Sequence, residues 1–298
     1  MELTPLRSFL AIARLKNMTR AAAELHLTQP ALSSQLGRLE SELGERLFER
    51  SRRGMVLTEA GAAFAVHAER ALAEIEAGFS AVAEVSGVVR GKLRVGGGAT
   101  ATGYLLPPVL GKLLSLHPEV EINVREQGSS DVRRAVADGN VDVGIVTSGG
   151  RNDGRWALDE RPWVSDELVL IVPPDHALCA SRRRTFSWTD LSDTPMVLFE
   201  SGSAIRKMLD DAAAKAGVRL KPAMELRSIA SIRRMVREGI GAGFVSRFAL
   251  SDDDLGGLSC KRSPLRRQLS IVTSPERAVR SVTRAFVELL ESTVNPLK

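Results

Sequence analysis

Two cysteines, four histidines and one tyrosine are few for 298 residues, and no stretch approaches the ~20 consecutive apolar residues that cross a bilayer. Each scarcity excludes something. Cys179 and Cys260 are too few and too far apart for a disulfide framework, and no Cys/His spacing matches a metal site. Both read as buried thiols, with a redox pair as the alternative. His26, His67, His117 and His176 are scattered, and none adjoins a Ser or Cys in a nucleophile motif. Gly96-Gly97-Gly98 follows a candidate strand as a dinucleotide loop would, but the next glycine is Gly103, so the GxGxxG spacing fails. The chain therefore reads as a non-enzyme with no catalytic residues, no metal and no cofactor. MELTPLRSFLAIARLK mixes acid and base in its first turns and carries no signal-peptide cleavage pattern, so the expected location is the cytoplasm, with no membrane partner.

The chain is 44% hydrophobic, enough for two or three domains with their own cores. A pI near 9.5 and a net charge of +5 suggest a polyanionic partner. Residues 1–90, however, hold eleven basic and eleven acidic side chains, so the whole excess lies further along. Bulk charge does not mark a nucleic-acid-binding half; only local clustering can.

Thr28 to Leu43, TQPALSSQLGRLESEL, supplies such a pattern. Leu32, Leu36, Leu39 and Leu43 recur with a helical period and form one apolar stripe. The opposite face carries Pro30, Ser33, Ser34, Gly37, Arg38 and Ser41, small, hydroxylic or cationic groups that let a backbone approach another polymer. Thr28 can cap the helix, Pro30 fits its first turn, and Gln29 stands at the N-terminal tip, the part of a recognition helix that meets base edges. The helix before it runs from Arg20 to His26, with Thr19 as its expected cap, and Leu6, Phe9, Leu10 and Ala13 mark an earlier helix beneath both. The three form a helix-turn-helix.

After Gly44, two short extended segments around Gly54 make a wing whose tip bears Arg50, Arg52 and Arg53, suited to phosphate oxygens or a minor groove. From Glu59 to about Ser86 runs one long helix, with Phe64, Ala68, Leu72, Ile75, Phe79 and Val82 on a heptad-like seam that pairs with its own copy. Two winged helices then reach two half-sites on DNA.

Gly87 to Gly91 is the linker, and from Lys92 strands alternate with helices, the mark of an α/β domain with a largely parallel sheet. Strands are expected at 93–95, 120–125, 141–146, 168–172, 196–199, 244–246 and 269–273, and helices at 105–116, 131–137, 204–216, 229–238 and 276–291. The loops at the carboxyl ends of three strands are rich in hydroxyls: Thr100 and Thr102, Thr147 and Ser148, Ser201 and Ser203. Beside helix N-termini they favour a small carboxylate or other oxyanion as effector. The bland alternative is that each is only a helix cap. Glu200 either repels an anion or selects an amine, and Arg206 can offset it.

FLAIARLKNMTRAAAELHLTQPALSSQLGRLESELGERLFERSRRGMVLTEAG closely resembles the N-terminal signature of LysR-type transcriptional regulators, and the rest agrees in order and length. The resemblance implies a winged helix-turn-helix over 1–58, a dimerisation helix and hinge over 59–91, and an effector domain over 92–298 like a two-lobed periplasmic binding protein. Lobe one would be 92–162 with 266–298, and lobe two 163–265. It places DNA contacts on Thr19, Arg20, Gln29, Pro30, Ser33, Arg38, Arg52 and Arg53, and effector contacts on the hydroxyl loops. It further implies a homodimer or homotetramer on double-stranded DNA at an inverted-repeat operator, with RNA polymerase as a further partner. Many relatives read PALSRQ where this chain has Ser34, so its operator is expected to depart from theirs.

Overall fold

The computed structural model describes residues 3–51, 54–85, 89–149, 156–180, 184–250, 257–275 and 279–293. Two compact units emerge, one built mainly from residues 1–87, the other from 88–275 and 282–298.

In the first unit α1 (Leu3–Leu15), α2 (Met18–Glu24) and α3 (Gln29–Leu43) close around Phe9, Ile12, Ala21, Leu32, Leu36 and Leu39. The leucine stripe of α3 is thus buried, except at its end. Leu43 is 39% exposed, because it is the last helical residue and Gly44, at φ 75°, turns the chain away past the edge of the core. Thr28 caps α3 as expected, its hydroxyl accepting from the Ala31 N–H at 3.4 Å.

The cap of α2 differs from expectation. Asn17, in extended backbone, accepts from the Arg20 N–H at 3.0 Å, so the helix starts a residue before Thr19. Asn17→Ala should therefore lower the stability of this unit by about 1 kcal/mol, read by far-UV circular dichroism in denaturant, while Thr19→Ala should change it little. A larger loss at Thr19 would return the cap to that residue.

β1 (Phe48–Ser51) and β2 (Gly54–Leu57) pair antiparallel, with Ser51 opposite Gly54, and form the wing. Its root is held by α3, since the Glu40 carboxylate accepts from the Leu47 and Phe48 N–H groups at 2.7 and 3.3 Å. The Met55 N–H donates to the Lys16 carbonyl at 3.0 Å, and a Cβ on Gly54 would lie 2.2 Å from that oxygen. Only glycine fits there.

α4 (Glu59–Val85) follows, and the Thr58 hydroxyl caps it by accepting from the Gly61 N–H at 3.0 Å. Its first turns lie on the core through Phe64 and Ala68, and the Phe9 ring sits 5.3 Å from both Phe48 and Phe64, joining helix, wing and linker. Further along, Phe79 and Val82 are 65% and 69% exposed.

The second unit comprises β3 (Gly91–Gly97), a π-helical turn (Ala101–Leu105) leading into α5 (Leu106–Leu116), β4 (Val120–Glu126), α6 (Ser129–Ala137), β5 (Val143–Thr147) and β6 (Asp159–Ile171). Next come α7 (Ala177–Ala180), β7 (Thr185–Phe186), β8 (Pro195–Phe199), α8 (Ala204–Lys215), β9 (Lys221–Leu226), α9 (Ile229–Arg237) and β10 (Ala242–Ser246). β11 (Ser259–Cys260), β12 (Leu265–Thr273) and α10 (Ser281–Thr293) complete it. One eight-stranded sheet runs β4-β3-β5-β12-β6-β10-β8-β9, and β7 pairs with β11 apart from it.

Several strands differ from expectation, among them the short pair β7 and β11, which was not expected. β6 begins at Asp159 rather than Leu168 and β12 at Leu265 rather than Leu269, because the added residues are mostly polar, carry no sustained apolar run, and gain their partners from each other across the sheet. β9 was not expected, since Lys221, Pro222 and Glu225 interrupt its apolar pattern; as an edge strand it tolerates a proline. The helix expected over 276–291 is seen from Ser281 to Thr293, and 276–278 lie outside the described residues.

The long strands β6 and β12 pass through two cores. Val164, Leu269 and Ile271 join Val95, Leu106 and Phe286 in one, whereas Leu168, Leu170 and Leu265 join Leu198, Leu209 and Phe244 in the other. The register fixes the direction of everything else. Passing up β5, its partners on β12 go from Val272 to Leu269; passing up β10, its partners on β6 go from Ile171 to Leu168. The carboxyl ends of both lobes' strands therefore converge on the seam near Asp166 and Arg267.

Candidate functional site

On α3 every polar position singled out from the sequence faces solvent: Gln29, Pro30, Ser33, Ser34 and Arg38 are exposed above the buried leucines. Thr19 and Arg20, in the first turn of α2, are exposed as well, and so is Arg50 on β1. Arg52 and Arg53, between Ser51 and Gly54, lie outside the described residues. The result is a surface of small side chains that also carries the guanidinium groups of Arg20, Arg38 and Arg50, chemistry suited to phosphate oxygens.

The hydroxyl loops of the second unit are more occupied than the sequence suggests. Thr100 is buried, and its hydroxyl accepts from Arg267 Nη2 at 2.7 Å. Thr102, inside the π-helical turn, donates to Glu126 and to the Gly98 carbonyl at 3.0 and 3.2 Å. The Thr147 N–H donates to Ser129 Oγ at 3.0 Å and its carbonyl accepts from the buried Arg133, which also pairs with Glu160. Ser148 is hydrogen-bonded to Ser270 through the two hydroxyls.

In lobe two, Ser203 caps α8, accepting from the Arg206 N–H at 3.2 Å. Ser201 is turned to Glu225, donating to its carboxylate from the backbone and the hydroxyl at 3.3 Å. The Arg206 guanidinium and the Ser201 N–H hold the Glu225 carboxyl below the usual carboxylate range. Arg206 pairs with Glu225 and Asp210, at 2.7 and 3.0 Å, rather than with Glu200. Glu200 is paired instead with Arg227. That charge is therefore balanced locally.

Cys260 is buried, as expected of a packed thiol; the Cys179 side chain lies outside the described part. A Cβ on Gly97 would lie 3.0 Å from Ala101 Cβ, so this glycine serves the close packing of the turn on β3. No helix among the described residues is long and apolar enough to cross a membrane.

Two family models cover nearly the whole chain. The bacterial regulatory helix-turn-helix protein of the lysR family matches residues 3–62, and the LysR substrate binding domain matches residues 86–295. The chain belongs to the LysR family.

Among its relatives is the probable RuBisCO transcriptional regulator of Cyanophora paradoxa, 32% identical over 96% of this chain and 90% of the relative. That of Synechocystis is also 32% identical, over 96% of this chain and 84% of the relative. Full-length OxyR from Pseudomonas aeruginosa has the same fold, with a TM-score of 0.70 at 24% identity, covering 98% of this chain and 94% of that one. Full-length CbnR complexed with its target DNA gives a TM-score of 0.67 at 22% identity, covering 99% and 100%. The regulatory domain of Synechocystis CcmR, in complex with 2-PG, gives 0.61 at 22% identity, covering 68% and 97%.

This LysR-type protein is a DNA-binding transcriptional regulator with an effector-binding domain, and not an enzyme. Its winged helix-turn-helix precedes a two-lobed α/β domain, as the sequence implied. The regulator's sequence does not single out Asp166, Ser246 and Arg267, yet Ser246 and Arg267 both donate to Asp166 and Arg267 also donates to Thr100. Each is a polar residue within a strand, and only the pairing of distant strands brings them together.

Proposed function

We propose that this regulator binds an inverted-repeat operator as a homodimer or homotetramer in the cytoplasm, reading bases with Gln29, Pro30, Ser33, Ser34 and Arg38. Thr19, Arg20, Arg50, Arg52 and Arg53 grip the flanking phosphates. The observation that carries this reading is the α3 face, where exposed small and cationic residues sit directly above buried Leu32, Leu36 and Leu39. Exposed Phe79 and Val82 on α4 support self-association, since a solvated apolar seam on a long helix gains most by packing on its copy. CbnR, of like fold, is solved with its target DNA, which supports the same use here.

A small carboxylate or other oxyanion metabolite binds between lobe one, residues 92–162 and 266–298, and lobe two, residues 163–265. Converging strand ends and the hydroxyls of Thr100, Thr102, Thr147, Ser148, Ser201 and Ser203 support that position. CcmR, whose regulatory domain is solved with 2-PG, supports a small ligand. Effector binding alters the angle between lobes and so the spacing of the paired α3 helices, changing DNA bend and contact with RNA polymerase.

The test uses the full chain and a duplex selected from a random library. Affinity should fall by about a thousandfold between about 50 and 200 mM salt, as neutralising several phosphates requires. Gln29→Ala should weaken binding to the selected duplex by about 5- to 100-fold and relax specificity, whereas Arg50→Ala should reduce the salt slope by about one. Salt-independent binding, or a Gln29→Ala variant with unchanged specificity, would overturn the assignment.

A further inference from the structure

Six helices among the described residues are followed by a residue in the left-handed backbone region. After α3, α6, α8 and α9 that residue is Gly44, Gly139, Gly217 or Gly239, with φ between 72° and 81°. After α1 and α2 it is Lys16, at φ 52°, and His26, at φ 54°, the only two non-glycine residues with positive φ among those described. Both are regular helix ends. The Lys16 N–H donates to the Ile12 carbonyl at 2.8 Å, closing α1 with a single bond. The His26 and Leu27 N–H groups donate to the Ala23 and Ala22 carbonyls at 3.2 and 2.9 Å, the paired bonds of a Schellman motif. Glycine meets this geometry without pressing a Cβ against the following carbonyl oxygen. Histidine tolerates the region better than most residues, and lysine gains no such relief.

The helix dipole offers an explanation within the fold, since a cation beside the last carbonyls is favourable. The same gain is open at the ends of α3, α6, α8 and α9, where glycine stands instead. What separates the two groups is their place. Lys16 precedes Asn17, the cap of α2, and His26 lies two residues before Thr28, the cap of α3, so the pair flanks α2 beside exposed Thr19, Arg20 and Gln29. Gly44 closes the opposite end of α3, away from its reading tip. Lys16 is also tied to the wing. Its carbonyl accepts from the Met55 N–H at 3.0 Å, and Met55 stands opposite Arg50. Lys16, Met55 and Arg50 thus form a row across three backbone segments, roughly 10 Å from first to last at strand spacing. The Lys16 and His26 side chains are exposed, and neither has a hydrogen-bond or ion-pair partner among the described residues.

We propose that Lys16 and His26 are DNA-backbone contacts, one at each end of α2, which donate from Nζ and from an imidazole N–H to phosphate oxygens on either side of the groove that α3 enters. The inference rests on the reading of α3 given above and adds two residues to it. The span is suitable: the seven residues of α2 rise about 10 Å, against ~12 Å for the width of a major groove. Lysine brings a full charge, whose contact releases a counterion. Imidazole donates an N–H whether neutral or protonated. Contacts of this kind fix the register and orientation of α3 and carry no sequence information. The strained backbone is kept at these two helix ends because the side chain that glycine lacks is used outside the fold.

The experiment compares the full chain with its Lys16→Gly, His26→Gly and double variants in two measurements: the denaturant midpoint by far-UV circular dichroism, and binding to the selected duplex and to one of unrelated sequence. Stability and affinity should move in opposite directions. Each glycine variant should unfold at higher denaturant, because the left-handed residue loses its clash. Each should nevertheless bind both duplexes more weakly, Lys16→Gly by about three- to tenfold at low salt and with a salt slope lower by about one. Lys16→Asn, which tolerates the left-handed region without a charge, should lose as much affinity as Lys16→Gly, whereas Lys16→Arg should keep it. A double glycine variant that binds both duplexes like the wild type overturns the proposal and returns both residues to a role within the helix ends. So does a loss confined to the selected duplex, which means that α3 itself has shifted. Salt-independent binding by the wild type overturns instead the reading of α3 on which the proposal rests.

Discussion

Replacing Asp166 with Ala should cost the effector unit about 3–5 kcal/mol, because removing one partner strands the other as an uncompensated buried charge. Asp166 has no exposed surface and Arg267 retains 8%, so water cannot take over the solvation. Ser246 Oγ and Arg267 Nε also lose their acceptor. The measurement is convenient: Trp156, Trp163 and Trp188, all the tryptophans, belong to the effector unit, so their fluorescence in denaturant reports on that unit alone. Removing the pair together, as Asp166→Ala/Arg267→Met, should recover most of the loss, since an apolar pair of suitable volume is often as stable as a buried ion pair. A single-variant loss below about 1 kcal/mol would mean that solvent reaches the pair, contrary to the burial seen here.

The second large effect lies in the DNA-binding unit, at Gly61. Alanine is favoured over glycine in a helix by about 1 kcal/mol, so propensity alone predicts that Gly61→Ala stabilises α4. Packing reverses the sign. The added Cβ would stand 2.1 Å from the Leu47 carbonyl oxygen and 3.1 Å from Leu57 Cδ2, at the root of the wing. The same carbonyl accepts from the Thr58 N–H at 3.0 Å, so moving it away breaks the bond that seats the helix. A net destabilisation of at least about 2 kcal/mol is expected, with loss of specific DNA binding because the wing shifts against α3. Gly78→Ala, in open space on the same helix, is the control and should be neutral or stabilising. Equal behaviour of the two variants would show that the wing root yields freely.

Much of the DNA-binding unit was legible from sequence because its signals are local. A leucine every three or four residues, a Thr before Pro, and a Gly after the last turn act within one helix, and Leu32, Leu36 and Leu39 are buried accordingly. Thr19 was expected as the cap of α2 where Asn17 serves, since Asn and Thr compete for caps two residues apart and only the backbone conformation decides. Leu43 was misread because periodicity does not say where a core stops.

The candidate effector site was legible only in outline. Hydroxyls after strands single out these loops, yet their partners are remote: Thr100 meets Arg267, Ser148 meets Ser270, and Ser201 meets Glu225. Arg206, adjacent in sequence to the loop it could have served, is committed to Glu225 and Asp210, while Glu200 is answered by Arg227. Opposite charges within a few residues are a poor guide when a third strand supplies a better-placed partner.

By itself, then, the sequence determined the winged helix-turn-helix, the long helix and the alternating α/β order, because hydrophobic period, caps and turn residues act over a few residues and are written contiguously. Tertiary structure alone decided the extent of β6 and β12, the indispensability of Gly61, and the meeting of Asp166, Ser246, Arg267 and Thr100. In a strand, Asp166 reads like any outward-facing polar residue. It becomes buried only when β12, some hundred residues later, pairs beside it and two cores close over the seam. Pairing over that distance leaves no local pattern to read, since its free energy comes from burial and register that exist only once the sheet is assembled.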